Sequence, residues 1–108
     1  MEHLGVALFK QKRFKDAAVV FEQLKPYKPD EKTYNNLGES YFEIGKTDES
    51  IEAFNSALGA NPDFDKARYN LGRAYLKLGN RDMAQVQYEI LRNSKSDWAD
   101  RLLSLIHI

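Results

Sequence analysis

An all-α array of stacked, antiparallel helix pairs is the fold class this sequence predicts, and three observations predict it. Residues 31–64 are repeated in residues 65–98 with a shift of 34: Lys32 answers to Lys66, Asn36 to Asn70, Leu37-Gly38 to Leu71-Gly72, Tyr41 to Tyr75 and Gly45 to Gly79. A period of that length marks supersecondary units that bury their apolar faces against one another rather than in a single closed core. Apolar residues recur at three- and four-residue intervals throughout, the spacing of amphipathic helices, with no sustained alternation of the strand type. Glycine and proline then break these runs at matching places in neighbouring units: Gly45 and Gly79 in the middle and last, Pro29 and Pro62 in the first and middle.

Seven helices follow in order. The first two are expected over residues 1–10 and 14–25. Lys12 stands between them where the later units carry glycine. A lysine forced to positive φ costs on the order of 1 kcal/mol, so this turn is expected to differ from the others. Pro29 cannot continue a helix, and Asp30 behind it is a candidate cap for the third helix, residues 31–44. Gly45 can take the left-handed conformation that ends a helix, and Thr47 is then placed to cap the fourth, residues 48–60. Pro62 and Asp63 repeat the stop and the cap before the fifth helix, residues 64–78. Gly79 and Asn80 do the same before the sixth, residues 81–92, and Ser96 or Asp97 before the seventh, residues 97–106. Loops of a few residues force successive helices to pack antiparallel.

The repeated residues form a pattern. The middle unit has Tyr34, Leu37, Gly38, Tyr41, Ser50, Phe54, Ala57 and Pro62. The last has Leu71, Gly72, Tyr75, Ala84, Tyr88 and Leu91, with Ser96 in place of the proline. The first fits with a shift of 33, through Leu4, Gly5, Leu8, Ala17, Phe21, Leu24 and Pro29. In combination these resemble the tetratricopeptide repeat, a 34-residue helix–turn–helix unit. The resemblance implies a right-handed solenoid in one domain: units at about 1–30, 31–64 and 65–98, then a capping helix within 97–108. A mid-helix glycine costs about 1 kcal/mol relative to alanine. Gly5, Gly38 and Gly72 are therefore expected to admit a close approach of the paired helix at Ala17, Ser50 and Ala84. Tyr41, Tyr75, Phe54 and Tyr88 are expected to fill the space between units. On the last helix Trp98, Leu102, Leu105 and Ile106 form a stripe that can cover the third unit, with Leu103 and Ile108 outside it. The short first helix and the apolar last one are what a piece of a longer array, or ends that dock onto something, would show.

Composition narrows the function. Sixteen Lys and Arg balance 16 Asp and Glu, for a formal net charge of +0. Nothing in that balance marks a binder of nucleic acid or acidic membranes. Cysteine is absent, which removes disulfides, thiolate metal sites and cysteine nucleophiles. No apolar run approaches the ~18 residues of a membrane span, and the first residues lack a signal-peptide core, so a cytoplasmic location is expected. The two histidines, His3 and His107, lie at opposite ends. No Gly-rich phosphate loop, His-Glu-x-x-His helix or nucleophile elbow is present. Glu39 and Glu43 share a helix face but lack further ligands for a metal, and read as a solvated face. Neither an enzyme nor a cofactor or metal site is expected.

Binding an extended peptide or a helix of a protein partner is the function the resemblance implies, with the first helix of each unit lining a concave groove. Carried over by position, the groove holds Lys32, Asn35, Asn36, Glu39, Phe42 and Glu43 in the middle unit and Lys66, Tyr69, Asn70, Arg73, Leu76 and Lys77 in the last. Glu2, His3, Val6, Phe9 and Lys10 are their first-unit counterparts. An asparagine amide both donates and accepts. Asn36 and Asn70 are thus placed either to pair with the backbone of an extended peptide or to bond neighbouring helices. The charges of Glu39 and Glu43 face those of Arg73 and Lys77; they form an acidic and a basic step that can select a ligand of mixed charge, and Glu39–Arg73 and Glu43–Lys77 pairs are expected while the groove is empty. Tetratricopeptide modules that clamp the terminal carboxylate of heat-shock chaperones want a lysine and an asparagine where this chain has Glu2 and Val6, and an arginine where it has Asn70. That departure argues against such a clamp. Two other roles suit the same residues: self-association through the apolar C-terminal helix, extending the solenoid, and service as an accessory domain of a larger protein.

Overall fold

The computed structural model describes residues 1–107. Among them it contains seven helices and no strand: α1 (Glu2–Lys10), α2 (Phe14–Leu24), α3 (Glu31–Glu43), α4 (Thr47–Ala60), α5 (Asp65–Lys77), α6 (Arg81–Asn93) and α7 (Trp98–Ile106). Each helix packs on the next, and α1, α3 and α5 also touch in series. The result is the stacked array of helix pairs that the repeat predicts.

Two of the expected caps form. The Asp30 carboxylate accepts from the Thr33 amide at 2.9 Å, and the Asn80 side chain from the Met83 amide at 3.1 Å. Three others are corrected. Thr47 is already the first residue of α4 and is buried, and its carbonyl accepts the Ser50 hydroxyl at 2.7 Å. Asp63 does not cap α5, because Asn61 closes the turn first, its side-chain oxygen taking the Asp63 amide at 3.1 Å. Asp97 makes no side-chain cap either, and the Ser96 hydroxyl accepts the Trp98 amide instead.

The first turn does not differ from its counterparts. Gly45 and Gly79 have φ of 84° and 79°, and Lys12 adopts 63°. Lys95, between α6 and α7, does the same at 59°. All four residues sit inside one hydrogen-bonding pattern, in which the next residue's amide reaches back five positions: Arg13 to Leu8, Lys46 to Tyr41, Asn80 to Tyr75 and Ser96 to Leu91. Satisfying these terminal carbonyls compensates the strain of left-handed lysine.

The glycine notches also differ from expectation. A Cβ on Gly5 would lie 2.6 Å from the Phe21 ring, and one on Gly38 2.5 Å from the Phe54 ring. The clearance therefore serves an aromatic side chain of the second helix rather than Ala17 or Ser50. In the last unit the intruder is Leu102 of α7, 2.7 Å from the position of a Gly72 Cβ, while Tyr88 is only half-buried. Leu37 and Leu71 are each 2% exposed, whereas Leu4 at the matching position is 54% exposed, because among the described helices α1 packs on α2 and α3 alone. Leu102 and Ile106 are buried against α5 and α6, and Leu103 is half-buried. The expected role of Ile108 lies outside the described residues. No described helix is long and apolar enough to cross a membrane.

Candidate functional site

The first helices of the three pairs, α1, α3 and α5, lie side by side and leave two hollows along one face. The larger, about 710 Å³, crosses all three. Its apolar wall comes from Val6, Ala7 and Phe64, and its polar lining from Asn35 and Asn36. Lys10, Lys32 and Lys66 surround it. Among the described residues Glu2 is the only carboxylate there, and it is engaged: Lys28 donates to it at 2.8 Å. That hydrogen bond, partly offset by desolvation, holds the Glu2 carboxyl below its usual range and raises Lys28 above its own. Lys66 approaches Glu39 at 3.9 Å, while Lys10 and Lys32 make no ion pair among the described residues. This end of the face is therefore basic.

The smaller hollow, about 230 Å³, lies between the later turns of α3 and α5, lined by Phe42, Glu43 and Arg73 with Phe9 of α1. The expected Glu39–Arg73 and Glu43–Lys77 pairs do not form. Arg73 instead lies over the Phe42 ring, 4.7 Å from its centre, and Lys77 over the same ring at 5.0 Å. The electron-rich face of the ring attracts both cations, and the Glu39 carboxylate is already committed. Asn70 donates to it at 2.9 Å. Tyr69 packs on Trp98, with ring centres 4.9 Å apart, and Arg73 lies 5.8 Å from the centre of its ring.

The two asparagines of the repeat part company. Asn70 is 3% exposed and donates to both Asn35 and Glu39, tying α5 to α3. Arg73 donates back to the Asn70 oxygen at 3.3 Å. Asn36 is half-buried on the larger hollow, and its side chain has no partner among the described residues. The cause is legible in the register. The residues that hold Asn70 stand one unit earlier as Glu2 and Val6. Val6 cannot bond an amide, and Glu2 is taken by Lys28. Of the ten expected site residues, the larger hollow gathers Lys32, Asn35, Asn36 and Lys66, and the smaller gathers Glu39, Glu43, Asn70 and Arg73. Tyr69 and Lys77 line neither hollow. Phe64 is an addition. Its place in the turn before α5, rather than inside the helix, brings it to the hollow, and Asn61 was the signal for that turn.

A family model described as TPR repeat matches residues 38–79, and one described as tetratricopeptide repeat matches residues 66–94. Among curated proteins the chain is similar to the peroxisomal targeting signal receptor of Candida albicans, with 31% identity over 77 residues. The match covers 70% of this chain and 13% of that receptor, so the chain spans a small part of the curated relatives it matches. Among solved structures it resembles PcrH in complex with the chaperone binding region of PopD, with a TM-score of 0.89 at 16% identity, covering 98% of this chain and 85% of that one. It also resembles the second TPR domain of human RPAP3 in complex with an HSP70 peptide, with a TM-score of 0.88 at 21% identity, covering 99% and 92%. At these identities the structural matches show a common fold.

Proposed function

The chain belongs to the tetratricopeptide repeat family, and from that premise we propose that the face formed by α1, α3 and α5 binds an extended, acidic segment of a protein partner. The observation that carries this reading is the larger hollow: open, continuous across three helices, and ringed by Lys10, Lys32 and Lys66 with its one carboxylate already paired. Val6, Ala7 and Phe64 supply apolar area for anchoring, and the free amide of Asn36 can donate to and accept from a peptide backbone. The lysines select by charge and speed encounter more than they tighten the complex. Protein or peptide complexes of two similar structures, one with a region of PopD and one with an HSP70 peptide, accord with this reading.

The test is an array of twelve-residue peptides graded in net charge, probed with the parent chain and with Lys32→Glu/Lys66→Glu. Acidic members are expected to be retained by the parent and lost from the variant, and Asn36→Ala is expected to weaken retention of all of them. Equal retention by a folded charge-reversed variant would dispose of the groove. Sedimentation at several concentrations separates this from self-association.

A further inference from the structure

On the opposite side of α3, away from the lysine-ringed hollow, α2, α3 and α4 enclose a groove of about 400 Å³. Its floor is apolar: Tyr34, Leu37, Ala53, Pro26 and Pro29. Its rim is acidic: Glu22, Glu49 and Glu52. Lys25 is the one base at the groove, and it is bound to Glu22 at 3.0 Å. Tyr41 donates to the other Glu22 oxygen at 2.7 Å. Glu49 and Glu52 are exposed and make no ion pair among the described residues.

The repeat places the equivalent positions one unit along, on α4, α5 and α6. There the register replaces Tyr34 by Arg68 and Ala53 by Gln87, while Pro62 stands where Pro29 stood. Arg68 donates from one guanidinium nitrogen to Gln87 at 3.0 Å and from another to the Pro62 carbonyl at 3.3 Å. At these equivalent positions the chain thus supplies a guanidinium of its own. The positions matching Glu49 and Glu52 there carry no charge: they are Met83 and Val86. In the first groove the same space is open, and the compensating charges stand around it.

We propose that the groove among α2, α3 and α4 receives an arginine side chain from a basic segment of a partner protein. The occupant is defined by what surrounds it. The flat guanidinium stacks on Tyr34 and against the prolines. Its donors face Glu49 and Glu52, which are free to pair in a fork that an ammonium cannot match. The site is separate from the lysine-ringed hollow and opposite in charge, so the two faces select different partners or different segments of one partner.

The experiment is an NMR titration of the whole, isotopically labelled chain at low salt with N-acetyl-argininamide, with N-acetyl-lysinamide and N-acetyl-glutaminamide in parallel. Saturable shifts are expected at the Tyr34, Ala53 and Ser56 amides, largest for the arginine probe and absent for the neutral one. Glu49→Gln/Glu52→Gln, which alters exposed side chains only, should weaken the arginine response about fivefold. Tyr34→Arg/Ala53→Gln builds the Arg68–Gln87 pair into the first groove and should abolish the response. If that second variant fails to fold, the glutamine pair still decides the matter. Shifts scattered over the surface, equal for all three probes, or unchanged in the glutamine variant would overturn the proposal.

Discussion

The middle and last units share a template yet solve the same packing problem with different side chains. Phe54, from the second helix of its own unit, fills the notch at Gly38. Gly72 is filled by Leu102, which belongs to α7, and Tyr88 at the Phe54 position remains half-buried. Asn36 and Asn70 diverge in the same way, one open to a hollow and the other locked between Asn35 and Glu39. The repeat register therefore specifies a space and a direction. Which side chain fills the space, and whether a polar group is free, depends on the neighbour on the far side.

The strongest way to break this comparison is to empty both notches. Phe54 is 1% exposed, and Phe54→Ala is expected to cost about 3–5 kcal/mol in urea denaturation. Leu102, 0% exposed, should cost about 3 kcal/mol as alanine. Tyr88→Ala should cost about half as much as Phe54→Ala, because part of its ring is already in water. A Tyr88 effect equal to that of Phe54, with Leu102 neutral, would mean that α7 does not complete the last unit. The asparagines give the next largest difference. Asn70→Ala strands the Asn35 oxygen and should destabilise by about 1–3 kcal/mol, whereas Asn36→Ala should stay within about 0.5 kcal/mol.

Much of this was legible in the chain and some was not. The seven helices and their breaks follow from local chemistry: apolar spacing, Gly45 and Gly79 in left-handed turns, Asp30 and Asn80 as caps. The lysine-ringed hollow was foreshadowed by Lys32, Asn35, Asn36 and Lys66 at equivalent helix positions. The pairing of Glu39 was not, because several partners lie within reach of one carboxylate and only three-dimensional spacing decides among Asn70, Lys66 and Arg73. The left-handed lysines were missed for a related reason. Propensity weighs the residue alone, while the bond from the following amide to the carbonyl five positions back belongs to the turn. That account carries its own test: Lys12→Gly and Lys95→Gly should each raise stability by about 1 kcal/mol. Gly45→Ala should lower it by a similar amount.

The smallest expected effect separates Tyr41 from Tyr75, which share a register but not a neighbour. Tyr41 donates to Glu22 at 2.7 Å, whereas Tyr75 has Asn55 at the position matching Glu22. Burial first, then the Glu22 hydrogen bond, with the charges of Glu22, Glu49 and Glu52 behind them, lifts the Tyr41 hydroxyl from 10.0 to about 12. The folded chain thus keeps a proton that the unfolded chain releases near pH 10.0. The resulting stabilisation is full below that pH and is lost as pH rises toward about 12. Tyr41→Phe has no such proton. Parent minus variant should therefore be flat at neutral pH and shrink between pH 10 and about 12. At the other end of the scale, burial pushes Glu22 up, but its hydrogen bonds from Tyr41 and Lys25 outweigh burial and hold it below the usual carboxylate range. Its contribution is present above the unfolded carboxylate range and falls away in acid, and the variant should lose part of that dependence as well. A difference that stays constant through alkaline pH would show that the hydroxyl does not engage Glu22, and that the two tyrosines are equivalent after all.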